Sequence, residues 1–285
     1  MKPLENTHPV LVLGGNGKTG RRVMDRLRAR GREVLGVSRS TTPAFDWNDP
    51  ASWPDLLEGV SAVYMTYQPD LAVPGALDAV RGFTDLALKA GVRRLVLLSG
   101  RGEEEAQRAE RMLQDSDADW TIVRAAWFNQ NFSENFLMDG VLAGKIALPA
   151  GRVQEPFVDV DDIAEVVVEA LCDDRHIGQL YEVTGPRLMT FAEVVAEIGT
   201  ACGREVSYEH MAPDDYAALL RQHQLPADFA NLILYLVTTV LDGRNAYLAD
   251  GVQRALGRPP KDFSDYAREV AAQGAWSVVP EPICA

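Results

Sequence analysis

The sequence predicts an α/β fold, in which helices cover both faces of a parallel β-sheet. Short apolar runs alternate along the chain with longer segments whose apolar residues recur at helical spacing. The first run, Val10–Leu13, is followed by a glycine-rich turn and then by a helical segment, Arg21–Arg30. This alternation is typical of a doubly wound, Rossmann-like sheet. We expect that unit to span residues 1–150 with part of 151–185. A smaller α/β subdomain, at 186–285 and discontinuous in sequence, is expected to cover the substrate.

The composition is typical of a globular protein that works in water. Of the 285 residues, 47% are apolar and 24% are charged, and no apolar run reaches the ~18 residues of a membrane helix. The formal net charge of −13 argues against a nucleic-acid partner, which usually meets a basic surface. The first residues lack the apolar region of a signal peptide, so we expect a cytoplasmic protein, either a monomer or a homodimer.

The cysteines and histidines favour neither a disulfide framework nor a metal site. The cysteines are odd in number and far apart along the chain, which indicates free thiols. The histidines have no spacing typical of metal ligands, so we expect no metal. These residues are Cys172, Cys202, Cys284, His8, His176, His210 and His223.

The segment Val10–Gly20 carries the pattern of a dinucleotide-binding turn. One glycine permits the tight turn, the next lets backbone approach a pyrophosphate, and the last lets the helix pack closely on the strand. A nucleotide-triphosphate loop would instead need a glycine where Val12 stands, and a purely structural turn is the second alternative. The residues predicted to bind the cofactor here are Gly14, Gly15, Asn16, Gly17, Lys18 and Thr19.

The residues after the second predicted strand, Glu33–Val37, indicate which dinucleotide is bound. A site that prefers NAD places an acidic residue there for the ribose 2′-hydroxyl, whereas this chain has Ser38, Arg39 and Ser40. A guanidinium among hydroxyl groups suits a 2′-phosphate, because it makes paired, charge-assisted bonds to phosphate oxygens. The pattern therefore predicts NADP(H) as the cofactor. The alternative is an arginine that only faces solvent.

Four more strands are predicted in the first half of the chain, at Ala44–Trp47, Ser61–Thr66, Arg94–Leu98 and Trp120–Arg124. Helical stripes at 76–90 and 106–113 separate the last three of them. Ligands of such sheets bind outside the carboxyl ends of the strands. Asp46 could accept a hydrogen bond from an adenine amino group, or equally cap a helix over Trp53–Leu57. The other strand-end residues predicted to bind the cofactor are Thr66, Ser99 and Gly100.

Beyond about residue 140 the alternation is weaker. Strands are predicted at Leu180–Val183 and Val206–His210, and helices at Asp159–Leu171, at Phe191–Ala201 after a Thr190 cap, and at Asp228–Leu241. The last helix is apolar nearly all round. That pattern predicts a buried helix, either within the C-terminal subdomain or at an interface between copies of the chain.

Aromatic residues near the strand ends indicate the substrate. Tyr67 follows the fourth predicted strand, Trp127, Phe128 and Asn131 follow the sixth, and Tyr235 lies on the apolar helix. Each aromatic residue has an alternative interpretation as part of the core. Together they predict a pocket for a flat, apolar, aromatic small molecule.

These motifs resemble the NmrA-like group of atypical short-chain dehydrogenase/reductases over nearly the whole chain. The resemblance is carried by GGNGKTG, SRS, FDW and LVLLSG, and later by DWTIVRAAWFNQNF and PFVDVDDIAEVV. Within the group, GGNGKT followed by SRST and FDW is most similar to the reductases that form festuclavine or agroclavine, with support from LPADFANLI and GRPPKDFSDYARE. The resemblance implies NADP(H) bound along Gly14–Thr19 and Ser38–Ser40.

One departure from the short-chain dehydrogenase pattern limits the chemistry. Most members use a tyrosine, and a lysine one helical turn later, to protonate a developing alkoxide. The corresponding positions here hold Ala106 and Glu110. Hydride addition to a ketone would leave an alkoxide with no evident acid, which is costly in a closed site. Hydride addition to an iminium gives a neutral amine and needs no proton. No catalytic residue is identified, and Tyr67 is the nearest candidate donor.

The sequence therefore predicts an NADPH-dependent reductase that transfers a hydride to an imine or iminium of a cyclic, aromatic small molecule in secondary metabolism. Two alternatives stay open. One is an NADPH-dependent quinone or enone reductase, because a quinone yields a phenolate-like anion of pKa roughly 10. The other is a non-catalytic, NADP(H)-sensing regulator.

Overall fold

The structure, a computed structural model, describes residues 8–223 and 225–278 and divides into two compact units. The first unit contains residues 8–126, Val160–Thr184 and Ala249–Pro260. The second contains Trp127–Asp159, Gly185–Leu248 and the chain from Lys261. Each unit has its own apolar core. Among the described residues, no helix is long and apolar enough to cross a membrane.

The strands of both units are short. In chain order they are β1 (Val10–Leu13), β2 (Val34–Val37), β3 (Ala62–Met65), β4 (Arg94–Gly100), β5 (Asp119–Ala125), β6 (Lys145–Leu148), β7 (Gln154–Glu155), β8 (Gln179–Val183), β9 (Met189–Thr190) and β10 (Ser207–His210).

Eleven α-helices occur among the described residues. They are α1 (Lys18–Ala29), α2 (Trp53–Leu56), α3 (Ala76–Lys89), α4 (Glu104–Gln114), α5 (Met138–Leu142), α6 (Val160–Cys172), α7 (Phe191–Cys202), α8 (Pro213–Gln222), α9 (Ala227–Tyr235), α10 (Gly251–Leu256) and α11 (Phe263–Ala272). Shorter turns are the 3-10 helices Pro50–Ser52, Asn129–Phe132 and Asp174–His176, and the π-helical turn Leu236–Val240.

The first unit is built on a six-stranded parallel sheet with the order β2-β1-β3-β4-β5-β8. Every residue of β1 and β3 is buried, as expected of central strands that helices cover on both faces. The chain winds from β1 to β2 on one side and from β3 to β8 on the other. The direction of winding therefore reverses between β1 and β3. In sheets of this kind, ligands bind in the crevice outside the carboxyl ends of the strands at such a reversal.

The predicted strand Ala44–Trp47 is wrong, because this segment is irregular. The Phe45 N–H donates to the Ser38 oxygen, but no ladder of bonds follows. Asp46 turns the chain, since its Oδ1 accepts from the Asn48 N–H at 2.9 Å. The apolar residues that suggested a strand are buried in an aromatic cluster, Phe45, Trp47, Trp53 and Phe83, whose ring centroids lie 4.9–6.1 Å apart.

The second unit has a separate aromatic core around Phe132, Phe157, Phe191 and Phe263. Its strands form two small sheets, one of β6 with β10 and one of β7 with β9. The predicted cap of α7 is confirmed, since Thr190 and Glu193 form a reciprocal capping box.

The predicted helix Asp228–Leu241 differs from the observed structure. The α-helix ends at Tyr235, and the π-helical turn Leu236–Val240 follows. Only one face is buried, because Asp228 and Asn231 are exposed on the other. The segment has more apolar than polar residues, which suggested burial on all sides. The polar residues share one face, however, and that face stays exposed to solvent.

Candidate functional site

The glycine turn between β1 and α1 is a close-packed backbone arrangement. Gly14 adopts a φ of +70°, the left-handed region that favours glycine. Its carbonyl oxygen accepts the Gly17 N–H at 2.8 Å. A Cβ added to Gly20 would lie 2.2 Å from that same oxygen, so α1 could not pack here with any other residue. The turn therefore has the geometry that the glycine spacing predicts.

The N-terminus of α1 presents backbone donors that no side chain of this helix caps. Gly17 is the N-cap residue, it makes no side-chain capping bond, and the first turn contains no acidic residue. Lys18 and Gly17 are half-buried, whereas Thr19 is buried. A helix N-terminus of this kind attracts anions through its free N–H groups and its dipole. The arrangement fits a pyrophosphate.

The hydroxyl groups after β2 are tied to the glycine turn. The Asn16 side-chain amide donates to Ser38 Oγ and to Ser40 Oγ, both at 3.0 Å. Arg39 lies between these serines and is exposed, and the described residues include no hydrogen-bond or ion-pair partner for it. A free guanidinium beside two ordered hydroxyl groups fits a 2′-phosphate.

Asp46, Thr66 and Tyr67 meet at the aromatic cluster. The Trp47 Nε1–H donates to the Thr66 oxygen at 3.1 Å, and the Trp47 and Tyr67 ring centroids are 5.0 Å apart. Asp46 does not cap the helix at Trp53, because its carboxylate accepts from Asn48 instead. Partial burial, and then the Asp46 carboxylate, raise the pKa of Tyr67. Tyr67 is therefore a weaker acid than an ordinary tyrosine.

The two residues predicted to stand at the tyrosine and lysine positions of short-chain dehydrogenases are buried residues of α4. Ala106 is fully buried, and Glu110 is 1% exposed. Glu110 Oε1 accepts from Ser99 Oγ at 2.6 Å and from Arg124 Nε at 2.9 Å, and Arg124 Nη2 binds Oε2. Both carboxylate oxygens of Glu110 thus accept hydrogen bonds, and the Ser99 hydroxyl group donates its proton to Oε1. This cluster supports the ends of β4 and β5 and offers no proton donor.

A buried carboxyl group that sequence reasoning missed lies beside this cluster. Glu103 is 7% exposed, and its carboxyl group covers the Cα atom of Gly100. Burial, and then the nearby carboxylates of Asp70 and Glu110, raise the pKa of Glu103 well above its usual range. The sequence shows only three consecutive glutamates, of which Glu104 is exposed. Gly100, three residues before Glu103, is the one signal that could have distinguished it.

The predicted substrate residues other than Tyr67 lie in the second unit. Trp127 and Phe128 are held to Val158, whose N–H donates to the Trp127 oxygen at 2.8 Å. The Trp127 ring packs edge-on against Phe191, with centroids 5.9 Å apart, so this ring belongs partly to the core. Asn131 and Tyr235 are half-buried, the first in the Asn129–Phe132 turn and the second at the end of α9. Their role in substrate binding stays a prediction.

The described residues contain no cluster of three or more histidine, cysteine, aspartate or glutamate side chains that could hold a metal ion. Cys172 and Cys202 are free thiols, and Cys284 lies outside the described part of the chain.

Comparison with known proteins identifies related sequences along most of the chain. A family model described as NAD(P)H-binding matches residues 14–174. Prestalk A differentiation protein A of Dictyostelium discoideum is 26% identical over 291 residues, which cover 96% of each chain. Festuclavine dehydrogenase of Aspergillus fumigatus is 30% identical over 289 residues, which cover 93% of this chain and 98% of the relative.

The fold also resembles solved structures. Triphenylmethane reductase of Citrobacter sp., solved in complex with NADP(H), superposes with a TM-score of 0.77. The two chains are 17% identical, and the match covers 92% of this chain and 99% of the reductase. At that identity the likeness concerns the fold, and it confirms the predicted Rossmann-like architecture.

The glycine turn can be tested by comparing two substitutions. Gly17 has a φ of −77°, open to any residue, and an added Cβ would lie 3.1 Å from the Gly14 oxygen. We expect Gly17→Val to fold but to bind NADPH more than about ten-fold more weakly, because its side chain fills the approach of the pyrophosphate. Gly20→Ala should instead lose stability, because of the 2.2 Å contact. Calorimetry and thermal unfolding measure both effects. Undiminished affinity in a folded Gly17→Val variant contradicts this interpretation.

Arg39 tests the choice between the two dinucleotides. Losing a charge-assisted bond to phosphate costs ~1.5–3 kcal/mol, or roughly ten- to a hundred-fold in affinity. We expect Arg39→Ala to weaken NADPH by that amount and to leave NADH nearly unchanged. Arg108→Ala, on the exposed face of α4, is the matched control. An equal loss for both cofactors, measured by titration, would remove the argument for a 2′-phosphate contact.

The raised pKa of Glu103 predicts a pH-dependent stability. The folded protein holds the Glu103 proton more tightly than the unfolded chain does, so this group's contribution is complete below about pH 4.5 and is lost as the pH rises through the folded-state value. Glu103→Gln has no such proton, and its amide can still donate to Asp70. We expect the free energy of unfolding of the variant, relative to that of the wild type, to increase as the pH rises. Denaturant unfolding across the pH range, with Glu104→Gln as control, measures the difference, and parallel curves would refute it.

Proposed function

The chain belongs to the NAD(P)H-binding family and is an NAD(P)H-dependent oxidoreductase, and we propose that it uses NADPH to reduce an imine or iminium. The substrate class we propose is a cyclic, aromatic small molecule of secondary metabolism. The predicted resemblance and the predicted nicotinamide dinucleotide cofactor are confirmed at the level of the family.

The proposed cofactor site lies along the carboxyl edge of the first unit's sheet. Gly14–Thr19 would hold the pyrophosphate, through the backbone donors at the start of α1. Ser38, Arg39 and Ser40 would hold the 2′-phosphate, with Asn16 keeping both serine hydroxyls in place. When bound, NADPH supplies a hydride. The chain's own task is to place the acceptor carbon against the nicotinamide and to exclude water.

The observation that carries the proposal is the state of the two α4 positions. Ala106 offers no hydroxyl group, and Glu110 is committed to Arg124 and Ser99. A ketone becomes a strongly basic alkoxide when it accepts a hydride, and that charge has no partner at these positions. An iminium carbon accepts a hydride and gives a neutral amine. The arrangement at α4 therefore favours C=N reduction over ketone reduction.

Three further observations support the proposal. The A. fumigatus relative that aligns with nearly the whole chain is named festuclavine dehydrogenase, which agrees with the resemblance to the reductases that form festuclavine. The negative net charge of −13 favours the approach of a cationic substrate. Tyr67 is half-buried and offers an aromatic surface, which suits a flat ring system.

A panel of acceptors tests the proposal directly. NADPH oxidation should be followed with cyclic imines, N-alkyl iminium salts, quinones, enones and simple ketones. We expect the imines and iminium salts to be reduced and the ketones to be inert. Preferential reduction of quinones or enones would favour that alternative, and tight NADPH binding without turnover of any acceptor would favour a sensor.

Tyr67→Phe tests whether the nearest hydroxyl group donates a proton. The substitution keeps the ring that contacts Trp47 and removes only the hydroxyl. With a permanently charged N-alkyl iminium, we expect kcat to fall by less than ~10-fold, below the 10²–10⁴ that a general acid usually supplies. The rate should also be almost flat with pH, because neither partner needs to gain a proton. A hundred-fold loss would show that Tyr67 donates a proton, and robust reduction of simple ketones by the wild type would show that the site contains a proton donor.

A further inference from the structure

A polar cavity of about 330 Å³ opens beside the amino end of β8, within the first unit. Its volume lies at the lower end of the range for ligand pockets, roughly 300–1,000 Å³. Ligands of this fold bind at the carboxyl ends of the strands, so the cavity lies at the opposite edge of the sheet from the proposed cofactor site. It is lined by two residues of the 3-10 turn before the strand, two of β8 and one of α10: Arg175, His176, Gln179, Tyr181 and Arg254.

The walls of the cavity are fixed to the sheet. The buried Thr121 hydroxyl group of β5 donates to the His176 carbonyl oxygen at 2.7 Å, which holds the turn before β8. Arg254 Nη1–H donates to the Leu180 oxygen at 3.3 Å, and its guanidinium carbon lies 5.2 Å from the centre of the Tyr181 ring. The polar groups are therefore positioned before a ligand arrives, which lowers the entropic cost of binding.

The hydrogen bonds at the cavity determine where the Tyr181 hydroxyl proton points. Arg175 Nε–H donates to His176 Nε2 at 3.0 Å, so this nitrogen is the acceptor of a neutral ring. Burial, and then the Arg175 charge, lower the pKa of His176, which agrees with a neutral ring. The ring proton is therefore on Nδ1, which donates to the Tyr181 oxygen at 2.7 Å. The hydroxyl proton of the buried Tyr181 is left without an acceptor among the described residues.

The unused polar groups of the cavity are donors. The side-chain acceptors among the lining residues each receive a hydrogen bond already, since Gln179 Oε1 accepts from Arg254 Nη2 at 3.0 Å. The Tyr181 hydroxyl, the Gln179 amide nitrogen and the arginine nitrogens remain to donate. None of the five lining residues is acidic. The cavity therefore suits a ligand group that only accepts hydrogen bonds.

The carboxylates near the cavity leave both arginines available. The Arg175 nitrogens lie 3.4 Å from Asp173 and 3.8 Å from Glu169. Arg254 lies 4.0 Å from Asp250. These ion pairs are longer than the 2.7–2.9 Å of a charge-assisted hydrogen bond, and exposed pairs of this kind are weak. The guanidinium groups thus keep N–H groups for an oxyanion, which they bind through paired charge-assisted bonds.

We propose that this cavity is a second ligand site, which binds a small organic acid or phosphate ester through its carboxylate or phosphate group. The oxyanion lies between Arg175 and Arg254 and accepts the Tyr181 hydroxyl proton. The two arginines repel a metal ion and the cationic substrate proposed above. The site shares no residue with the proposed cofactor and substrate residues, so it stands or falls independently of the proposed function.

The experiment titrates the protein with inorganic phosphate and with citrate at constant ionic strength, because salt screens contacts between exposed charges. Saturating NADP⁺ is present, so that phosphate does not occupy the glycine turn. Calorimetry gives the affinity, and the NMR signals of the backbone amides give the location. The variants are Arg175→Gln, Tyr181→Phe and Arg254→Gln, with Arg108→Gln on the exposed face of α4 as control. Thermal unfolding checks that each variant is folded.

We expect one anion to bind per chain and to shift the amide signals of residues 175–181 and 254. Arg175→Gln and Arg254→Gln should each weaken binding roughly ten-fold or more, because each removes a charge-assisted bond. Tyr181→Phe should weaken it by about the same factor, because it removes the donated proton and keeps the ring beside Arg254. Arg108→Gln should bind like the wild type. Tighter binding of citrate would identify a carboxylate ligand, and tighter binding of phosphate a phosphate ester.

Three outcomes would overturn the proposal. The first is the absence of saturable binding, and the second is a set of shifts confined to residues 14–20 and 38–41. The third is an equal loss of affinity in Arg108→Gln and in the cavity variants, which would show a response to net charge alone. If Tyr181→Phe fails to fold because His176 loses its acceptor, the two arginine variants and the wild-type shifts still decide the outcome.

Discussion

The close approach of α1 to β1 is the constraint on which the first unit depends. The backbone of Gly20 lies against the Gly14 carbonyl group. This contact fixes both the distance between α1 and β1 and the direction of the helix. Arg22 and Arg26 of α1 then bind Asp161 at the start of α6, and these ion pairs place a second helix on the same face. The anion-binding end of α1 is thus fixed by the same contact that fixes the layer of helices.

A second constraint is the buried ionic cluster that supports the ends of β4 and β5. Arg101, Arg124, Glu110 and Glu182 are bound to each other, and Ser99 is drawn into the cluster by Glu110. Removing one partner from such a cluster leaves an uncompensated buried charge, which costs about 3–5 kcal/mol. Glu110, which the sequence predicts to stand where most short-chain dehydrogenases have the lysine, is therefore a structural residue.

The features that the sequence predicted well are those that local pattern determines. The glycine spacing, the buried run Val10–Leu13 and the hydroxyl groups beside Arg39 each follow from a few adjacent residues. The errors arise where partners come from distant parts of the chain. Phe45 and Trp47 alternate with Asp46, which is the pattern of a half-buried strand. In the structure both rings are buried against Phe83, which comes from a distant part of the chain.

Glu103 was missed for a related reason. The residue that gives Glu103 its character lies in another loop of the first unit, and one sequence does not show that the two loops converge. Asp70 itself stands in an ordinary loop sequence, and Glu103 stands in an acidic run that suggests a solvated helix start. Only the burial of one of these glutamates and the exposure of its neighbour distinguish them.

The division of the chain has a consequence for how the protein is made. The chain passes from one unit to the other after residues 126, 159, 184, 248 and 260. Strand β8 and helix α10 therefore join the first unit late, and they are locked together by the hydrogen bonds between Thr184 and Ala249 and by the tight contact of Gly251 with Glu182. During synthesis the first five strands leave the ribosome with the β5 edge of the sheet open. That edge stays unpaired until β8 has emerged, and α10 can pack against β8 only after the intervening residues 185–248 of the second unit have been made.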